Sequence, residues 1–154
     1  MNGMDRAREL LAHKRIALVG ASRNEKDLTR LLLRELARRG YDVVPVNPGA
    51  AGAELDGRRA FSRLRDVAPP VDGAIFFTAP GQTAGAVEDA LAAGVRRIWF
   101  HRGTGAGSVS PEALAACRAA GVEPVTGLCP FMALPDAGWF HRAHGFLRGH
   151  RHVG

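Results

Sequence analysis

Short, unbroken apolar runs alternate with longer stretches of mixed character along most of the chain, the pattern left by repeated β-α units around a parallel sheet. The first run, Ile16-Ala17-Leu18-Val19-Gly20, shows no polar alternation, as expected of a strand covered by helices on both faces. After it, Leu28, Leu31, Leu32 and Leu36 recur at helical spacing, and Gly40 marks the end of that helix. Arg30, Arg34 and Arg38 share another face, which reads as the solvated side. Val43-Val44-Pro45-Val46 predicts a second strand, closed by the turn signal Asn47-Pro48-Gly49.

Residues 50–70 are less regular, with a hairpin-like excursion at Leu55-Asp56-Gly57 and a short helix expected around Phe61–Val67. Gly73-Ala74-Ile75-Phe76-Phe77 predicts the third strand, and Ala84, Val87 and Leu91 mark the buried face of a helix that ends at Gly94. Arg97-Ile98-Trp99-Phe100 predicts the fourth. Ser110-Pro111-Glu112 combines an N-cap hydroxyl, a proline at the first helical position and an acid near the positive end of the helix dipole, so a helix should run from there to Gly121. Val122–Val125 predicts a fifth strand, and Cys129-Pro130-Phe131-Met132 leads into a partly helical tail from Pro135 to Gly149. The expected architecture is α/β: a doubly wound, mostly parallel five-stranded sheet with helices on both faces. Residues 1–134 form the domain and 135–154 the tail, with no internal repeat or low-complexity linker.

Composition narrows the setting. A chain of 154 residues with 46% hydrophobic and 23% charged content suits one compact domain. No apolar run approaches the roughly 20 residues that cross a bilayer, and the N-terminal MNGMDRARELLAHKR lacks a secretory h-region. Cys117 and Cys129 offer neither metal-ligand spacing nor a disulfide framework, which points to a reducing, cytoplasmic setting. The formal charge is +6, and of 21 basic residues only Lys14 and Lys26 are lysine. An arginine surplus suits an anionic ligand, a metabolite or a nucleic acid, but it equally describes a solvated surface. An aromatic content of 6% and the lack of a recognition motif disfavour nucleic acid.

In an open parallel sheet the ligand lies beyond the carboxyl ends of the strands, so the residues after each strand carry the candidate chemistry. Gly20-Ala21-Ser22 is a phosphate-site candidate, with backbone N–H groups and a hydroxyl near a helix start. A dinucleotide fingerprint fails, because Ala21, Ser22, Arg23, Asn24 and Glu25 supply no further glycine and the second strand ends in Asn47 rather than an acid. NAD is thereby disfavoured, and no P-loop string occurs. Thr78-Ala79-Pro80 follows the third strand, and His101-Arg102-Gly103-Thr104-Gly105-Ala106-Gly107 follows the fourth. His101 would need an orienting partner to act as a general base, and the sequence shows none. Cys129 reads either as a thiol able to form a mixed disulfide or as a buried structural cysteine. His141 and His144 have a spacing that could chelate a metal but lack a further ligand, so neither a metal site nor a catalytic residue is assigned. Trp139 and Phe140 in the tail suggest docking onto the domain or onto a second subunit, as in a homodimer.

Several strings at once carry a family resemblance: VGAS at Val19 to Ser22, RRGYDVVPVNP at Arg38 to Pro48, LDGRRAF at Leu55 to Phe61, PVDGAIFF at Pro70 to Phe77, and the late Cys129-Pro130. From about Ile16 to Leu134 the chain resembles the small CoA-binding proteins. These are single Rossmann-like domains similar to the CoA-binding domain of the succinyl-CoA synthetase α subunit and of ADP-forming acyl-CoA synthetases. The resemblance implies binding of CoA or an acyl-CoA along the strand ends. It implies contacts to the pyrophosphate or adenosine side from Gly20, Ala21 and Ser22, and places Asn47 and Pro48 near the nucleotide. Thr78, Ala79, Pro80 and Gly103 occupy the matching later turns. The HRGTGAGS stretch departs from a simpler glycine-containing loop, and the tail lies outside the common core. A synthetase also needs a nucleotide-grasping domain for which this chain has no room, so binding without catalysis is expected. An NAD(P)-binding oxidoreductase or redox sensor on the same fold is the alternative.

Overall fold

The computed structural model describes residues 1–102 and 107–135; Gly103 and the expected tail beyond Pro135 lie outside these residues. The chain opens with α1 (Gly3–Leu11), then β1 (Arg15–Val19), α2 (Leu28–Arg38) and β2 (Asp42–Val46). A hairpin of β3 (Glu54–Leu55) and β4 (Arg58–Arg59) precedes β5 (Gly73–Phe76), α3 (Pro80–Ala92) and β6 (Ile98–Phe100). Helices α4 (Pro111–Ala119) and α5 (Pro130–Ala133) complete the described residues.

The main sheet is parallel in the order β2-β1-β5-β6. The expected fifth strand is reduced to one parallel bridge between Val125 and Trp99. Alternate residues of β1 serve two separate cores. Ile16 and Leu18 meet Leu32, Leu33 and Leu36 of α2, Leu10 and Leu11 of α1, and Phe131 of α5. Ala17 and Val19 face the other way, toward Val87 and Ala90 of α3 and Ala113 and Cys117 of α4. The result is a helix-sheet-helix sandwich, the Rossmann-like arrangement expected from the apolar runs.

Helix α1 arises where no element was expected. Its start is a reciprocal cap: Asp5 donates its N–H to Asn2 Oδ1 at 2.8 Å, and Asn2 donates its own to Asp5 Oδ2 at 3.3 Å. Ala7, Leu10 and Leu11 then supply a buried stripe within a basic segment. Gly73 admits this helix, because a Cβ there would lie 2.8 Å from Leu10 Cγ. The helix expected around Phe61–Val67 is a single 3-10 turn, Leu64–Asp66. Leu28 is exposed, while Leu33 is fully buried.

The arginine row of α2 is not uniformly solvated. Arg34 and Arg38 are exposed, but Arg30 is only 6% exposed. Its Nε donates to Asp56 Oδ2 at 2.8 Å, and its Nη1 donates to the carbonyls of Arg23 (3.1 Å) and Ser22 (3.4 Å). Arg30 therefore fastens the turn after β1 to the hairpin, and its guanidinium holds the Asp56 carboxyl below the usual carboxylate range. At the same carboxyl end of the sheet, just after β5 and β6, His101 stacks on Phe77 with ring centroids 4.7 Å apart and meets Phe131 edge-on at 6.4 Å. Its Nδ1 is buried with no hydrogen-bond partner among the described residues, and burial pushes the imidazole pKa down from 6.5.

Replacing Arg30 by Ala should cost about 2 kcal/mol by chemical denaturation, since Asp56 and two carbonyls lose a shared donor. Arg30→Lys should recover little, because an ammonium cannot reach three acceptors in the same fork. His101 yields a pH signature. Above pH 6.5 the ring is neutral in both states, whereas below it the unfolded chain takes a proton that the folded chain resists, so stability falls until the folded-state pKa is passed. Denaturation at about pH 7.5 and about pH 5.5 should show a larger loss for the wild type than for His101→Phe.

Candidate functional site

The chain leaves β1 for β2 on one side and passes from β2 to β5 on the other, so the connections diverge between β1 and β5. That divergence is the switch point at which doubly wound sheets open a crevice. A cleft of about 710 Å3 lies there, lined by the carboxyl ends of β1, β2 and β5, the segment 62–64 and one side of α3. Its volume falls in the range of small-molecule sites.

Gly20 forms the floor. It has φ +96°, and a Cβ there would lie 3.0 Å from the Phe77 carbonyl carbon and 3.1 Å from the Thr78 nitrogen. Its N–H donates to the Val46 carbonyl at 2.7 Å, which draws the ends of β1 and β2 together. Asn47 completes the join. Its Nδ2 donates to the Ala21 carbonyl at 2.9 Å, while its Oδ1 accepts the Gly49 N–H at 3.0 Å and caps the 3-10 turn Pro48–Ala50.

Of the residues singled out in the sequence, Gly20, Asn47, Pro48, Thr78 and Ala79 line this cleft, whereas Ala21, Ser22 and Pro80 are not among its lining residues. The Ser22 N–H is engaged by Thr29 Oγ1 at 2.9 Å, and the start of α2 is capped by Asp27, whose Oδ1 accepts the Thr29 N–H at 2.8 Å. The chain's own carboxylate thus takes the place of an external anion at α2.

Helix α3 is built differently. It starts at Pro80 with Ala79 as N-cap, so no side-chain oxygen covers its first turn, and that end faces the cleft. Gly81 and Gly85, one turn apart on α3, open the wall further, since a Cβ on either would meet nothing within 4 Å. Thr83 donates to the Ala79 carbonyl at 3.1 Å. The 2.6 Å contact between the Thr78 and Thr83 hydroxyls must then carry the Thr78 proton, which leaves Thr78 Oγ1 free to accept a hydrogen bond from a ligand.

The opposite rim leaves no sign in the local sequence pattern. Arg63 lines the cleft beside Asp89 of α3, and their fork closes at 2.9 Å and 2.6 Å. Asp89 also accepts from Arg65, and the two guanidinium groups, Arg63 foremost, hold its carboxyl below the usual range. Periodicity could not pair Arg63 and Arg65, one just before and one within a 3-10 turn, with a helix residue 26 and 24 positions away. His101 and Cys129 are not among the cleft-lining residues. No cluster of potential metal ligands occurs among the described residues.

Known proteins resemble this chain in sequence and fold. The chain is 28% identical to the uncharacterized protein YneT of Bacillus subtilis over 116 residues, 75% of this chain and 82% of that protein. Among solved structures, a protein from Thermus thermophilus superposes with a TM-score of 0.74 at 30% identity, covering 86% of this chain and 96% of its own. A hypothetical protein from Pyrococcus horikoshii OT3 gives the same TM-score at 28% identity, covering 86% and 89%. The dinucleotide-forming acetyl-coenzyme A synthetase 1 of Ca. Korarchaeum cryptofilum matches 72% of this chain at 26% identity with a TM-score of 0.61, over 25% of the synthetase's length. The family described as CoA binding domain matches residues 14–135, and the chain belongs to that family.

Proposed function

We propose that the chain binds CoA or an acyl-CoA in the cleft at the carboxyl ends of β1, β2 and β5, and performs no chemistry on it. The observation that carries this reading is the uncapped start of α3 facing a cleft whose wall is opened by Gly81 and Gly85. Such a helix end favours a pyrophosphate, and missing side chains leave space for an extended ligand. In this reading Gly20 and Asn47 hold the floor rigid, Pro48 and Gly49 border the nucleoside, and the Thr78 oxygen accepts an amide or hydroxyl proton. The reading without catalysis is supported by the character of Asp89, the carboxylate lining the cleft, because two arginines hold it ionised and make it a weak base. Free Cys117 and Cys129 suit the reducing, cytoplasmic setting that this ligand implies.

Thermal-shift series with CoA, acetyl-CoA, NAD, NADP and ATP test the ligand class. A ligand specific for the folded state adds about 2.7 kcal/mol at a hundredfold excess over its Kd, and CoA species alone should do so. A response to NAD or NADP alone would replace this reading with the dinucleotide one. Gly85→Leu should weaken CoA binding about tenfold or more by filling the cleft, while leaving the fold intact or stabilised by up to about 1 kcal/mol, because leucine is the better helix former. Asn47→Ala should cost about 1 kcal/mol of stability and weaken binding as well, since it releases both turns that border the cleft.

A further inference from the structure

The segment beyond the hairpin is threaded onto the end of the sheet. Phe61 forms a parallel bridge with Val46; its N–H donates to the Pro45 carbonyl at 3.0 Å and its carbonyl accepts the Asn47 N–H at 2.9 Å. Ser62, Arg63 and Leu64 therefore emerge beside Asn47, Pro48 and Gly49, where β2 ends. Arg63 is the one cationic residue lining the cleft among the described residues. In doubly wound sheets the nucleoside lies over the end of the second strand, where an acid holds a bare ribose hydroxyl and an arginine accommodates a phosphate on the ribose. Here the strand ends in Asn47, with Arg63 alongside.

The pairing of Arg63 is redundant. Its Nε and Nη2 bind Asp89 Oδ2 and Oδ1 at 2.9 and 2.6 Å, while Arg65 binds the same Oδ1 with Nε and Nη2 at 3.1 and 2.8 Å. Arg65 does not line the cleft. Both arginine side chains are about half exposed, at 48% and 50%, while that of Asp89 is 13% exposed. If Arg63 turns toward a ligand, Arg65 keeps Asp89 paired and no buried carboxylate is stranded. The trio has one positive charge in excess, available to an incoming anion.

We propose that Arg63 recognises a phosphomonoester on the ligand's ribose, exchanging Asp89 for the phosphate while Arg65 holds the carboxylate. This rests on the CoA reading above and adds to it the residue that distinguishes a 3′-phosphorylated nucleotide from its dephosphorylated counterpart. The guanidinium fork matches two oxygens of a phosphate dianion, and the contact lies at a half-exposed rim where salt screens it.

Titration calorimetry of the full chain at low salt, with CoA and with dephospho-CoA, tests the assignment. The wild type should prefer CoA by about tenfold or more. Arg63→Gln should abolish the preference by weakening CoA alone, with dephospho-CoA unchanged, and Arg63→Lys should keep part of it. Asp89→Asn removes the competing carboxylate and should increase the preference. Equal affinity of the wild type for the two ligands, or an unaltered ratio in Arg63→Gln, would overturn the role of Arg63 while leaving CoA binding intact. A reduced preference in Asp89→Asn would overturn the exchange. If neither ligand bound the wild type, the CoA reading itself would fall, and this assignment with it.

Discussion

The approach of Gly20 to the Phe77–Thr78 peptide is the constraint on which the site depends. A Cβ at position 20 would lie 3.0 Å from the Phe77 carbonyl carbon, and the backbone there has φ +96°, so both the space and the conformation call for glycine. The contact sits where β1 and β5 part company, with α2 leaving toward one face of the sheet and α3 toward the other. With the two strand ends held close, the elements that follow them must splay apart, and the cleft is the space between. Asn47 extends the same join to β2 by bonding to Ala21 on one side and Gly49 on the other. The floor is thus rigid for backbone reasons, while the walls are free to carry chemistry.

Charge is arranged around this frame in a repeated unit. Asp42 is held by Arg15 and Arg58, Asp56 by Arg30 and Arg34, Glu35 by Arg38 and Arg39, and Asp89 by Arg63 and Arg65. The units around Asp42, Asp56 and Asp89 each join different elements or turns, while the Glu35 unit braces the end of α2. Much of the arginine excess is therefore structural, spent on fastening loops with a side chain whose planar fork can serve several acceptors at once. Arg30 is itself nearly buried and secures a turn; Arg63 is half exposed and borders the cleft. The same chemistry acts as a clamp in one place and as a reserve of positive potential in the other, and the difference is solvent access.

The sequence made the sheet legible because buried parallel strands are written as continuous apolar runs, and β1, β2, β5 and β6 each fall within a residue or so of such a run. The helix starts were legible where the cap is local, as at Ser110, whose Oγ accepts the Ala113 N–H. Helix α1 is not legible in the sequence because its cap, Asn2 with Asp5, lies in a segment that reads as basic and polar. Residues 122–125 carry the composition of a strand, but a single bridge at Val125 is all that forms. Of the site, the glycine and asparagine turns were legible as punctuation. The burial of Arg30 and the meeting of Arg63 with Asp89 were not, because each depends on a carboxylate 26 positions away that no local spacing reveals.

Both flanks of the sheet end in single-residue bridges, Phe61 against Val46 on β2 and Val125 against Trp99 on β6. On the β2 side Pro45 has no N–H to offer, its carbonyl is taken by Phe61, and the Val43 carbonyl accepts from Arg58. On the β6 side Val125 takes the Phe100 N–H and gives its own to the Ile98 carbonyl. A strand from another molecule would have to displace these bonds before it could pair. These short bridges act as stops that deny the parallel sheet an open edge for aggregation, at the cost of one residue on each side.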